Sequence, residues 1–83
     1  MLVRFSNAGG CSTCTNTIDT SKWRALGMFK ALEDDDNSYY VRLSLDNGDT
    51  YTAKKNMNLS DAINYRNLLE NYWYSSATGF AES

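Results

Sequence analysis

The sequence predicts a small α+β domain, an antiparallel sheet packed against one C-terminal helix. Three observations lead there. Residues 39–55 alternate apolar and polar side chains on either side of Asp46-Asn47-Gly48, the mark of a β-hairpin. Residues 59–74 repeat apolar side chains at helical spacing behind Asn58. A length of 83 residues, 42% of them apolar, suits one domain near the lower limit of unaided folding.

Taken in order, Leu2 to Ser6 reads as a first strand, with Val3 and Phe5 opposite Leu2, Arg4 and Ser6. Residues 7–20 are polar and small, with Gly9-Gly10 and the pair Cys11 and Cys14, and read as a flexible loop. Ser21 to Glu33 fits two templates. Ala25, Met28, Phe29 and Leu32 fall at i, i+3, i+4 and i+7, which favours a helix. Gly27 in mid-segment opposes it, and a strand pairing with 39–45 is the other solution. The helical template gives the order β-α-β-β-α. The strand gives β-β-β-β-α.

The hairpin itself has two possible registers. A two-residue Asn47-Gly48 turn would oppose Leu43 to Thr52 and Val41 to Lys54, apolar against polar. A three-residue loop, Asp46-Asn47-Gly48 with Gly48 left-handed, opposes Leu43 to Tyr51 and Val41 to Ala53, and Arg42 to Thr52. Burial selects the second, because a slip of one residue exchanges the faces.

The helix of 59–74 has Asn58 as its N-cap and Asp61 at N3. Ala62, Tyr65, Leu69 and Tyr72 form its core stripe. Leu59, Ile63 and Leu68 widen the stripe, Trp73 continues it, and Asn64, Asn67 and Asn71 face water. The tail 75–83 is small and polar except for Phe80, which is expected to pin it to the body.

Composition bounds function chiefly by exclusion. Net charge is −2, from eight basic and ten acidic residues. That gives neither the basic excess of a nucleic-acid binder nor the carboxylate array of a DNA mimic. No apolar run approaches the ~20 residues of a membrane span, and the first five residues do not form a signal peptide. Two cysteines place the chain by default in a reducing cytoplasm, the host cytoplasm if the protein is viral. His, Pro and Gln are absent altogether. Without His there is no Ser-His or Cys-His nucleophile pair and no imidazole acid–base. We expect no catalytic residues and no cofactor.

Cys11-Ser12-Thr13-Cys14 is the one recognisable chemical motif. A dithiol redox site needs a helix starting at the pair to lower a thiol pKa, and Thr15-Asn16-Thr17-Ile18-Asp19 opens a helix poorly. The chain is about the size of a glutaredoxin, but it has no proline to stand opposite the thiols as in that family. Zinc needs four ligands, and these are two. Free thiols are the plain reading, and a redox or zinc site on Cys11 and Cys14 is the weak alternative. The run Glu33-Asp34-Asp35-Asp36 lacks the glycine and glutamate of an EF-hand loop, having Tyr39 and Leu45 at those places. It reads as a charged connector able to steer a basic partner.

Protein binding draws on the rings. Neighbouring helical residues diverge by ~100°, so Tyr72, Trp73 and Tyr74 cannot all be buried. Tyr40, Arg42, Ser44, Thr50, Thr52 and Lys54 share the sheet face turned away from the helix. Tyr and Arg are favoured interface residues. The expected partner-binding residues are therefore Tyr40 and Arg42, with Asp34, Asp35 and Asp36 at the neighbouring edge, and Trp73 and Tyr74 as the second choice.

In size, acidic balance and lack of catalytic residues the chain resembles the small inhibitors that bacteriophages encode against host enzymes or defence complexes, anti-CRISPR proteins among them. The resemblance carries no residue over. It implies a non-enzymatic protein-binding module that acts by occlusion. A homodimeric structural or assembly subunit is a further expectation, with no membrane and no direct nucleic-acid contact.

Overall fold

Strand β1 (Leu2–Ser6) realises the alternation of its sequence: Val3 and Phe5 are fully buried, and Leu2, Arg4 and Ser6 are exposed. The computed structural model describes residues 1–6, 15–75 and 78–83. After β1 come β2 (Thr15–Asp19), a 3-10 turn (Thr20–Lys22), β3 (Trp23–Lys30), β4 (Tyr39–Leu45), β5 (Thr50–Met57), α1 (Leu59–Tyr74) and β6 (Phe80–Glu82). They form two three-stranded sheets, ordered β2-β1-β6 and β3-β4-β5, with one helix. The class is α+β, as the sequence predicts.

The element order differs from the helical template for 21–33, where Trp23–Lys30 is a strand. One irregularity hides it in the sequence. A bulge at Arg24 sets Trp23 opposite Leu45 and Ala25 opposite Ser44, so the inward residues Trp23, Leu26 and Met28 fall out of strict alternation. Gly27 lowers helix propensity, and pairing along β4 from Ala25–Ser44 to Lys30–Tyr39 outweighs what remains.

Residues 15–19 of the expected loop 7–20 form a strand. Thr15, Thr17 and Ile18 are β-branched, and β2 pairs antiparallel with β1 from Ser6–Thr15 to Leu2–Asp19. The tail departs from expectation too. β6 pairs parallel with β1, Leu2 opposite Phe80 and Arg4 opposite Glu82. Phe80 holds it from outside, half-exposed beneath the Arg4 guanidinium at 4.7 Å from the ring centre.

The hairpin follows the three-residue loop. The Leu45 N–H donates to the Asp49 carbonyl (2.8 Å), the Gly48 N–H donates to the Leu45 carbonyl (3.1 Å), and Gly48 has φ +90°. Leu43 faces Tyr51 and Arg42 faces Thr52, as expected. Val41, however, faces Lys54 rather than Ala53. β5 carries extra residues here: a bulge between Thr52 and Lys54, then a second irregularity before Tyr39 meets Met57, with Asn56 left-handed at φ +60°. The bulges keep Ala53 and Met57 buried. They also turn Lys54 off its expected face, and its ammonium lies over the Tyr65 ring, 5.2 Å from the centre.

One core joins the three layers. Val3 and Phe5 come from the first sheet. Trp23, Val41, Leu43, Ala53 and Met57 come from the second. Ala62, Tyr65 and Leu69 come from α1. The Phe5 ring lies between Trp23 (6.1 Å) and Tyr51 (5.3 Å) and so joins the sheets. α1 runs over the predicted residues, capped by Asn58, whose side-chain oxygen accepts from the Asp61 N–H (2.8 Å). Leu59, Ile63 and Leu68 lie at its flanks, more exposed than the sequence suggests. Among the described residues no helix is long and apolar enough to cross a membrane.

Candidate protein-binding face

The helix and β1 bury one face of the sheet β3-β4-β5. The other face carries Ala25, Gly27 and Phe29 from β3, Tyr40, Arg42 and Ser44 from β4, and Thr50 and Thr52 from β5. Three of these form an ordered cluster. Phe29 stacks on Tyr40, its neighbour across the strands, with ring centres 5.5 Å apart and planes 28° from parallel. The Arg42 guanidinium sits 4.4 Å from the centre of the Phe29 ring. Gly27 makes room: a Cβ there would lie 2.7 Å from Phe29 Cε2. The Phe29 ring therefore lies across bare backbone, packed on one side and 40% exposed overall.

Tyr40 and Arg42 stand where the sequence places them. Phe29 does not, because the helical template removes it from the sheet. The signal for it is the Gly27-x-Phe29 spacing, which in a strand puts the ring on the same face as the glycine.

The acidic residues occupy a stapled loop at the Lys30–Tyr39 end of the sheet. Ser38, the one buried polar side chain among the described residues, organises it. Its hydroxyl accepts from the Leu32 N–H (3.0 Å) and lies within donating distance of the Leu32 and Asp35 carbonyls (2.9 and 2.7 Å). Asp35 accepts from the Asn37 N–H (2.9 Å), and Asp36 pairs with Lys30 (3.1 Å). Glu33 and Asp34 are exposed and have no ion-pair partner among the described residues. Leu32 projects beside them, 61% exposed.

Trp73 and Tyr74 belong elsewhere. Trp73 is half-buried against Trp23, 6.2 Å between ring centres, at the far end of β3 from Phe29. Tyr74 stacks on it and is 72% exposed, so it is the surface ring that helical geometry requires. The expected site residues thus separate into a sheet face with its acidic loop, and a ring pair at the end of α1.

A shallow depression of about 560 Å³ lies where β5 meets the start of α1, lined in part by Lys54, Lys55, Asn56, Asp61 and Tyr65, and includes none of the expected site residues. Cys11 and Cys14 lie outside the described residues. No group of three or more His, Cys, Asp or Glu is placed to hold a metal among the described residues.

Comparison with protein-family models, curated sequences and solved structures finds no match to this chain.

Proposed function

We propose that this protein is a non-enzymatic protein-binding module whose docking face is the open side of β3-β4-β5, centred on Phe29, Tyr40 and Arg42. One observation carries the reading. An aromatic pair and a guanidinium are pre-arranged on a sheet face, over a glycine, where they add nothing to the core. Rigid rings lose little entropy on contact, and Tyr and Arg recur among the residues that dominate interface energy. The acidic loop at the end of the face, with Glu33 and Asp34 outside any ion pair among the described residues, would favour a partner with a basic rim. A module of this size inhibits by covering a site on its partner, and we place its action in the cytoplasm.

Affinity capture tests this. Immobilised wild-type protein should retain a specific protein from a host lysate, identified by mass spectrometry. A Phe29→Ala/Arg42→Ala bait with unchanged thermal stability should lose it. Equal recovery by both baits would rule the face out.

A further inference from the structure

The two outer edges of the sheet β3-β4-β5 are built differently. Edge strands invite further strands, and proteins commonly block them with charges, bulges or proline. β5 is blocked by its two irregularities and by Lys54, Lys55 and Asn56. β3 is not. After its bulge at Arg24 it runs regularly from Ala25 to Lys30, uncharged until its last residue. Among the described residues its only sheet partner is β4. Ala31 donates to the Ser38 carbonyl, so in the antiparallel alternation Ala25, Gly27 and Phe29 bond toward β4. The N–H and C=O groups of Leu26, Met28 and Lys30 therefore point out of the free edge.

The charge around this edge is polarised. Lys22 and Arg24 stand at its start, exposed and without ion-pair partners among the described residues. Glu33 and Asp34 stand just past its end, also exposed and without ion-pair partners among the described residues, while Lys30 pairs with Asp36. A second copy laid antiparallel turns each basic start toward the other's acidic end, twice across the axis, with Arg24 across from the Asp36-paired Lys30 and Lys22 toward Glu33 and Asp34. A parallel copy would bring like against like.

We propose that β3 is a self-association edge, and that two copies pair antiparallel through it into one six-stranded sheet. Only residues whose backbone groups point outward can bond across the edge, so the outward residues of one copy must oppose those of the other. Centring on Gly27 sets Leu26 against the second copy's Met28 on the helix side, and Ala25 against its Phe29 on the open side. Both helices then lie on the same face. This inference does not depend on the proposed docking face, which the dimer would present twice.

Sedimentation velocity on the intact protein tests it, with three charge variants. The wild type should show a concentration-dependent monomer–dimer equilibrium with a Kd of about 100 µM or tighter. Lys22→Glu/Arg24→Glu and Glu33→Lys/Asp34→Lys should each weaken it by about tenfold or more. Mixing these two variants should restore a dimer, and so should all four substitutions in one chain. Amide exchange at Leu26, Met28 and Lys30 should slow as the wild type is concentrated. A wild type that stays monomeric at about 1 mM overturns the proposal. So does a dimer indifferent to the reversals, or one that leaves those three amides unprotected. Because no partner protein is involved, loss of partner capture leaves this result untouched.

Discussion

The Tyr51 hydroxyl is buried and has no hydrogen-bond partner among the described residues, and burial raises its pKa above the ordinary value of 10.0. Tyr65 is raised mainly by burial as well, but its hydroxyl is used: it donates to Ser83 Oγ (3.0 Å), which donates to the Arg4 carbonyl (3.1 Å). The two phenols predict opposite responses to the same substitution. Tyr51→Phe removes an unsatisfied polar atom and should leave stability unchanged or raise it by up to about 1 kcal/mol. Tyr65→Phe breaks a chain linking α1, the tail and β1, and should cost about 1 kcal/mol. Denaturant melts of both distinguish them, and equal losses would contradict the assignment. Both phenols favour the neutral form when folded. Their effect on stability is therefore absent below about pH 10 and becomes destabilising as pH rises through the raised values. The alkaline limit of Tyr51→Phe should lie above that of the wild type.

Gly27 matters at the same scale. Alanine there drives the exposed Phe29 ring aside, since the Cβ would meet its rim at 2.7 and 2.9 Å. The fold should survive, because the ring has open solvent to move into. Gly27→Ala should melt within a few degrees of the wild type and lose the Phe29–Tyr40 contact, seen as loss of ring-to-ring nuclear Overhauser effects. An intact contact would show that the glycine is not what seats the ring.

Among the elements, the 31–38 loop holds its shape through one side chain. Ser38→Ala leaves the Leu32 N–H without its acceptor and removes the donor to the Leu32 and Asp35 carbonyls. A loss of about 1–3 kcal/mol is expected, with faster amide exchange at Leu32. A neutral substitution would mean that the backbone bonds donated by the Ala31, Asp35 and Ser38 N–H groups hold the loop alone.

Local signals made β1, the hairpin and α1 legible. Each declares itself by periodicity or by a cap such as Asn58. β3 was obscured because its bulge breaks the period that identifies a strand, leaving Ala25, Met28, Phe29 and Leu32 in accidental helical spacing. In the fold these four share no face. Ala25 and Phe29 look outward, Met28 inward, and Leu32 sits in the loop. The lost strand took Phe29 with it, so the sequence showed two of the three residues in the open-face cluster. Lys54 was misplaced for the same reason, a bulge that alternation cannot foresee.

For the whole molecule, the illegible part is what flanks β1 in the first sheet. β6 joins β1 across almost the full length of the chain, and three residues, Phe80-Ala81-Glu82, carry no pattern of their own. Its place depends on partners: the Leu2 N–H donates to the Gly79 carbonyl (2.9 Å), the Ser83 N–H to the Arg4 carbonyl (3.0 Å), and the Tyr72 hydroxyl to the Glu82 carbonyl (3.0 Å). Deleting residues 80–83 removes most of these and bares an edge of β1. Thermal melting should show a loss of at least about 2 kcal/mol, or about 10 °C for a domain of this size. An unchanged melt would mean that the tail is not part of the folded unit.

The open face of β3-β4-β5 is the surface we propose for a protein partner. Its most direct test is the affinity of the captured partner for two variants side by side, by isothermal titration calorimetry. Tyr40→Ala/Arg42→Ala should weaken binding by about tenfold or more, while Tyr74→Ala leaves it unchanged. Full affinity in the first and loss in the second would contradict the account and move the interface to Trp73 and Tyr74 at the end of α1.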